Sequence, residues 1–416
     1  MEQNTNESTQ SKRIISIDRF RGLCMFVMVI SFFLGVFEDT FAKWAPIFEH
    51  GESGFQILPG IAFADIFAPM FIFVIGLTYV KSFKSREAKY GTKVAYFQIA
   101  IRYLGLMGIG ALLNGFEDGW LDVFQGTAFK ELDKNIKVFA VGFWIAIALV
   151  VLVLISRLFK SEKFKDIMSK TLRYFLAFMG LCVLYFIIVS TGEQVGSRFV
   201  ADFQSNRYGG WIWDTLQNIG LAGLMALPFV KFDKWGKLVM VAITFAVMTI
   251  FVQNGGYQLV RAILEGGLFG GFSWAGILLL GSIFVEIKDE KIYWVLASLM
   301  LLISVVLIVA FEYTAVKRGC TPVYATFCAS ISAIVFAGID ALNKFTPKFA
   351  LFTWWGGSSL LVYVVNYLVC LIIGAILTVK EVSLPLWAGL LITVVGLCLY
   401  TVMNWLLYRK DKHIRL

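Results

Sequence analysis

The sequence predicts an all-α fold, a polytopic transmembrane helix bundle of about 11–12 spans with both termini cytoplasmic. Three observations carry this expectation. Of 416 residues, 59% are hydrophobic and 16% charged, with a mean hydropathy of +0.77, whereas a soluble domain is nearer half apolar and a quarter charged. The excess has to face lipid. The apolar residues also fall in runs near 20 residues, the length that crosses a bilayer. Finally, the cations collect in alternate short loops between those runs, as the positive-inside rule describes.

Taken in order, the runs lie at 20–38, 61–80, 95–114, 138–156, 174–190, 211–230, 238–253, 268–285, 293–311, 321–339, 356–378 and 385–407. The seventh is short. The eighth is rich in glycine (Gly266, Gly267, Gly270, Gly271), which membrane helices tolerate better than soluble ones. The division is one transmembrane domain over 16–408, a polar and flexible N-terminal segment 1–15, and a basic tail 409–416. No small-residue cleavage site follows the first apolar run, so we expect no removed signal, and the lack of a targeting segment points to a prokaryotic plasma (inner) membrane.

Orientation follows from the loops. Segment 81–93 carries five cations against Glu87, segment 157–173 six against Glu162 and Asp166, and Lys231, Lys234 and Lys237 follow the sixth run. The intervening loops are acidic or balanced: Glu38, Asp39, Glu49 and Glu52 against Lys43, then Glu117, Asp118 and Asp122 with a mixed run at 130–137. The basic side is then cytoplasmic. Two loops depart from the pattern, the slightly acidic 286–291 on the inner side and Lys317-Arg318 on the outer side. The net charge of +9 is spent on topology, so no nucleic-acid partner is expected; the expected partners are membrane lipids, and a homo-oligomer is compatible with the reading. Six cysteines without paired spacing argue against a disulfide framework or a metal site.

Ionisable groups inside spans cost about 2.5–3.5 kcal/mol each at the centre on insertion scales, so they mark places to look. Asp18, Arg19 and Arg21 sit at the inner mouth of the first span, Asp65 a turn inside the second, Arg102 within the third, and Asp214 and Gln217 open the sixth. The chain has two histidines. His413 belongs to the basic tail. His50 lies in the first outer loop between Glu49 and Glu52, and Pro59-Gly60 turns the chain back towards Asp65. Histidine changes charge near neutrality and suits general-base or acyl-carrier work. A carboxylate on one ring nitrogen would fix its tautomer; Asp65 fits that role, with Glu49 or Glu52 as alternatives. Duller readings remain open for each: headgroup anchoring for Arg19 and Arg21, snorkelling for Arg102, helix capping for Asp65 and Asp214.

Read together, these residues resemble a known family. Ser16-Ile-Asp18-Arg19-Phe-Arg21-Gly22-Leu is similar to the aspartate-x-x-arginine-glycine opening of the heparan-α-glucosaminide N-acetyltransferase family and its bacterial relatives. Gly60, Asp65, Pro69 and Gly76 follow the order of that family's second motif, and Arg102 resembles the arginine of its third span. Looser similarity continues through Ile212–Ile219, Thr321–Tyr324 and Gly356–Tyr363, so the resemblance spans residues 16 to about 363. Departures concentrate where the acceptor would bind: Ser31 and Ser358 stand for asparagines, and Asp214 and Asn218 for a glycine and an arginine.

The resemblance implies an acyl-CoA-dependent membrane acetyltransferase. Acetyl-CoA, as co-substrate and with no metal, would bind from the cytoplasm on Asp18, Arg19, Arg21 and Arg102. The acetyl group would pass to a sugar amine or hydroxyl of an extracytoplasmic glycan or glycolipid near Asp214, Gln217 and Ser31. His50, partnered by Asp65, would be the base or transient carrier. The alternative is a multi-pass transporter or lipid flippase, against which stands the lack of an internal repeat.

Overall fold

The computed structural model describes residues 15–37, 47, 50, 54–124, 126, 128–132, 134–159, 161–196, 213–261, 264–346, 350–380 and 384–409. The N-terminal segment, the basic tail with His413, Glu49, Glu52 and the first residues of the expected sixth span lie outside them. The main helices are α1 (Ile15–Val36), α2 (Phe67–Tyr90), α3 (Thr92–Gly115), α4 (Lys134–Ser156), α5 (Glu162–Gly196), α6 (Thr215–Ala226) and α7 (Lys234–Phe251). They continue with α8 (Gly267–Glu286), α9 (Ile292–Val309), α10 (Pro322–Phe345), α11 (Leu351–Gly357), α12 (Ser359–Lys380) and α13 (Leu386–Arg409). Among the described residues, eleven helical segments are long and apolar enough to cross a membrane, including the short seventh and glycine-rich eighth of the expected spans. The protein is an all-α polytopic bundle.

One expected span is redrawn and another is preceded by a break. The sixth, placed at 211–230, is a helix of 12 residues with a 3₁₀ turn, Leu227–Phe229. At 1.5 Å per residue the helix covers roughly 18 Å, well short of the roughly 30 Å hydrocarbon core. Its start is fixed by Asp214, whose extended backbone (φ −149°, ψ −170°) makes it the N-cap. The eleventh, placed at 356–378, is present as α12 and starts three residues late: α11 ends at Gly357, Ser358 leaves helical geometry (φ −128°, ψ 27°), and α12 begins at Ser359. Glycine holds a helix weakly, and here two in a row precede the break. Two short strands also occur, β1 (Gln56–Leu58) and β2 (Ile61–Ala62), paired antiparallel around Pro59-Gly60. Proline at the first corner and a glycine with φ of 80° at the second suit a type II turn.

Central helices α2, α3 and α8 are the most buried. Helices α2 and α8 approach closely because Gly76 and Gly281 face each other's backbones, the small-residue packing that substitutes for a hydrophobic drive inside lipid. Outer helices carry bare apolar rows, as at Val295 and Leu302 on α9 and Trp387 and Leu399 on α13.

Ion pairs define one end of the bundle, called the basic end below. Lys231 meets Glu87 at 2.5 Å, the buried Lys237 meets Glu286 at 2.6 Å, and Lys288 meets Asp340 at 2.8 Å. Ser16, at the start of α1, bonds Asp340 at the same end. Helix α13 returns towards it, with Trp355 Nε1 of α11 donating to Thr401 Oγ1 at 3.1 Å. The hairpin and His50 occupy the opposite, histidine end.

Candidate functional site

At the histidine end the hairpin delivers the chain into a single 3₁₀ turn, Phe63–Ile66, that holds Asp65 before α2 begins. The Asp65 side chain is fully buried and held on three sides. Its Oδ2 accepts the Ala62 main-chain N–H at 3.0 Å, and its own carbonyl accepts the Tyr324 hydroxyl of α10 at 2.6 Å. Its Oδ1 lies 2.9 Å from His50 Nδ1. The His50 side chain is half exposed. With Nδ1–H donated to Asp65, the imidazole is held in the tautomer that leaves Nε2 as its basic nitrogen. A carboxylate that is buried, bonded and immobile orients a ring better than a surface one.

A second charged pair lies alongside. Glu265 Oε1 and Lys317 Nζ are 3.1 Å apart and nearly buried, while Glu265 Oε2 is buried with no hydrogen-bond partner. Glu265 stands in left-handed backbone (φ 56°), as does Cys320 (φ 43°) beyond Lys317. Such geometry in a residue with a Cβ costs about 1–2 kcal/mol and marks a position held by its surroundings; Trp274 Nε1 holds the Glu265 carbonyl at 2.9 Å. Burial pulls the Lys317 ammonium down, but the carboxylates of Glu265, Asp65 and Asp214 outweigh it and hold its pKa above the ordinary lysine value. Burial pushes the Glu265 carboxyl up, and Lys317 offsets this only in part. Three carboxylates, those of Glu265, Asp65 and Asp214, thus surround the one ammonium.

At the basic end a cavity of about 660 Å³ opens between α1, α2, α3, α6, α11 and α12, within the size range of small-molecule sites. Its mouth carries Arg21, Lys81, Arg86 and Arg102; its interior is apolar, with Met25, Phe71 and Leu106. It runs inward to Thr215 at the start of α6 and to Tyr363 of α12. Tyr363 lies beside Thr215 and within electrostatic reach of Asp214, Glu265 and Glu117. The inner end of the cavity thus adjoins the acidic residues of the histidine end. Irregular backbone at the α11–α12 break lines the same cavity through Gly356 and Gly357, the setting in which a membrane protein tolerates it. The break is locked to α1: Gly22 faces the Phe352 carbonyl and Gly356 the Asp18 carbonyl, each so closely that a Cβ would collide.

Of the residues singled out in the sequence, His50 and Asp65 meet, and Asp18, Arg21 and Arg102 share the cavity. Asp18 Oδ1 lies 3.7 Å from Arg21 Nη1. Arg19 points elsewhere. It is buried against the end of α10, bonded to Asn343 and, through Nη2, to the Thr346 carbonyl at 2.8 Å. On a helix, neighbours 19 and 21 face different directions, so a cationic pair one residue apart cannot clamp one anion from the same face. Asp214 caps α6 and accepts the Thr215 hydroxyl at 3.2 Å. Gln217 is buried against Gly110 of α3, and Ser31 is partly exposed on α1, outside the cavity lining.

Sequence reading missed Glu265, and it gave Tyr324, Tyr363 and Arg86 no site role of their own. Lys317 had left a signal, since Lys317-Arg318 broke the charge pattern of the loops. A cation on the wrong side needs a local carboxylate, and Glu265 is that carboxylate. No family model matches the chain, and no curated protein sequence matches it. The functional reading therefore rests on the side chains and their geometry.

Proposed function

We propose that the chain is a membrane acyltransferase that moves an acetyl group from acetyl-CoA on the cytoplasmic side to a sugar amine or hydroxyl outside. The observation that carries the reading is the arrangement of two unlike sites in one bundle. An oriented His50–Asp65 pair stands at one end, and a cationic cavity from the other end reaches inward towards it.

The basic end is cytoplasmic in this reading, as the charge of its loops supports. Arg21, Lys81 and Arg102 hold donor phosphates by charge-assisted hydrogen bonds, and the apolar interior takes the uncharged arm that carries the thioester. At the histidine end Nε2 of His50 accepts the proton of the attacking amine or hydroxyl. The new C–N or C–O bond forms as the thioester C–S bond breaks, and the thiolate leaves with a proton. In the carrier variant Nε2 itself takes the acetyl group first and passes it on. Asp65 stabilises the imidazolium that either route creates. Asp214 stands at the positive end of α6, next to Thr215 at the inner end of the cavity, and is the residue on this helix offered to the acceptor. Resemblance to the heparan-α-glucosaminide N-acetyltransferase motifs gives the same role to His50 and places a motif aspartate at Asp65.

The test is release of free coenzyme A from acetyl-CoA by purified protein in detergent, with and without amino sugars and glycolipids. Release that His50→Ala abolishes supports the reading; no release with any acceptor overturns it. One observation favours the transporter instead: a half-length α6 and a broken α11–α12 resemble the discontinuous helices of secondary carriers. Substrate uptake into proteoliposomes without coenzyme A release would decide for that reading.

A further inference from the structure

Every lysine that ties the basic end together has a carboxylate: Lys231 with Glu87, Lys234 with Glu290, Lys237 with Glu286, Lys288 with Asp340. Three arginines beside them are different. Arg86 of α2, Arg102 of α3 and Arg173 of α5 converge on one small notch of about 80 Å³, with Gln98 on its wall and Ile101, Gly105 and Leu176 as its apolar floor. Among the described residues none of the three makes a salt bridge. Arg86 spends one Nη on Ser82 of its own helix, and Arg102 lies over the ring of its neighbour Tyr103. Arg102 and Arg173 are close enough to Arg86 for their charges to repel it.

Three guanidiniums from three helices, drawn together without a carboxylate, cost the fold free energy that something must offset. Guanidinium forks match phosphate oxygens in pairs, and Gln98 adds a neutral donor. The notch is distinct from the cavity interior: it lies between α3 and α5, sharing Arg86, Gln98 and Arg102 with the cavity wall but adding Arg173 and Leu176. Arg173 is exposed, and Tyr174 and Phe178 beside it are bare apolar surface, so the notch opens sideways where lipid would lie.

The geometry points to a phosphate-binding site formed by Arg86, Arg102, Arg173 and Gln98. Its ligand is one phosphate group, from an anionic phospholipid reaching in between α3 and α5 or from a soluble phosphate entering through the cavity. Basic pockets between membrane helices recognise lipid headgroups in this way. The inference does not depend on acyl transfer, and its test uses no acyl chemistry.

Two arms separate the sources. In the first, purified full-length protein carrying a mixture of phosphatidylglycerol and phosphatidylcholine is examined by native mass spectrometry for retained lipid. In the second, delipidated protein in detergent is melted with sodium pyrophosphate against sodium chloride of equal ionic strength. Arg173→Gln and Arg86→Gln are compared with Lys170→Gln, which removes an exposed charge of the same helix that pairs with Asp166. Arg173 is exposed, so its variant folds. We expect phosphate-dependent retention or stabilisation to weaken about tenfold in both arginine variants, the loss of one charge-assisted contact, and to stay intact in Lys170→Gln. Loss confined to the lipid arm identifies a headgroup; loss confined to the pyrophosphate arm identifies a soluble phosphate; loss in both marks one site open to either. If neither arm distinguishes the arginine variants from Lys170→Gln, the site does not exist.

Discussion

The Tyr324 hydroxyl donates to the main-chain carbonyl of Asp65 at 2.6 Å, tying α10 to the turn that presents the carboxylate. Both residues are buried. Tyr324→Phe keeps the ring and its packing but removes that hydrogen bond. A lost buried hydrogen bond costs about 0.5–1.5 kcal/mol, so the melting temperature in detergent should fall measurably. Activity should fall with it, because Asp65 loses one of its anchors. An unchanged melting temperature would mean that water replaces the hydroxyl and that the tie is dispensable.

His50→Ala should abolish coenzyme A release while the protein still folds, at a stability cost of about 1–3 kcal/mol for the hydrogen bond lost to the buried Asp65 carboxylate. Asp65→Asn should retain a residue of the rate, reduced about 10²- to 10⁴-fold, the range seen when a base or its orienting carboxylate is lost. Steady-state turnover of the two variants, with a folding control, checks both. Full activity in His50→Ala would leave the pair without a chemical role.

Arg21 and Arg19 differ by two positions and should fail differently. Arg21 lines the cavity, so Arg21→Ala should weaken acetyl-CoA binding by about 1.5–3 kcal/mol, roughly tenfold or more in Kd, with stability unchanged. Arg19 is bonded into the end of α10, so Arg19→Ala should lower the melting temperature and leave donor affinity alone. Calorimetric titration beside a thermal melt separates them. The reverse pattern would overturn the placement of the donor phosphates.

Legibility in the sequence followed the range of the forces involved. Lipid exposure acts on every residue of a span, so composition and apolar run length gave the all-α bundle and most of its helices. Asp65 and His50 could be paired on paper because the Pro59-Gly60 turn confines the chain between them. The half-length α6 was not readable. Its apolar residues continue as in a full span, and only the backbone of Asp214 stops the helix. The break at Ser358 likewise depends on contact with α1, where the Phe352 carbonyl meets Gly22, 330 residues earlier. Lys317 and Glu265 meet across 52 positions, and no local pattern announces such a pair. Arg19 was misdirected because a helix motif was read as a string rather than as faces.

Orientation is testable by labelling. In a cysteine-depleted background, cysteines are placed at Gln56 in the hairpin and at Ser85 in the cavity mouth, both exposed. An impermeant maleimide on intact cells should label position 56 and not 85. Labelling of position 85 alone would invert the topology, and with it the direction of transfer.

The Glu265–Lys317 pair makes a pH-dependent prediction. Lys317 has a pKa held above the lysine range by the carboxylates around it. A group whose folded pKa is raised contributes stability that is fully present below its unfolded pKa, about 10.4, so the Lys317 contribution is constant between pH 5 and 8. Glu265 is pushed up by burial, and by the same sign rule its contribution is present below about pH 4.3 and lost as pH rises through its folded value. Lys317→Met removes the cation that offsets this burial and moves the folded value further up. The variant's melting temperature should therefore fall steadily from pH 5 to pH 8, by an amount approaching about 3 kcal/mol of stability for an unpaired buried charge, whereas the parent shows a shallower decline. Adding Glu265→Gln to Lys317→Met should flatten the profile, because the group that titrates is gone. Thermal melts of the parent, the single variant and the double variant across that range make the comparison. A flat profile in Lys317→Met would show that Glu265 reaches water or another cation, and that the pair does not hold the histidine end together.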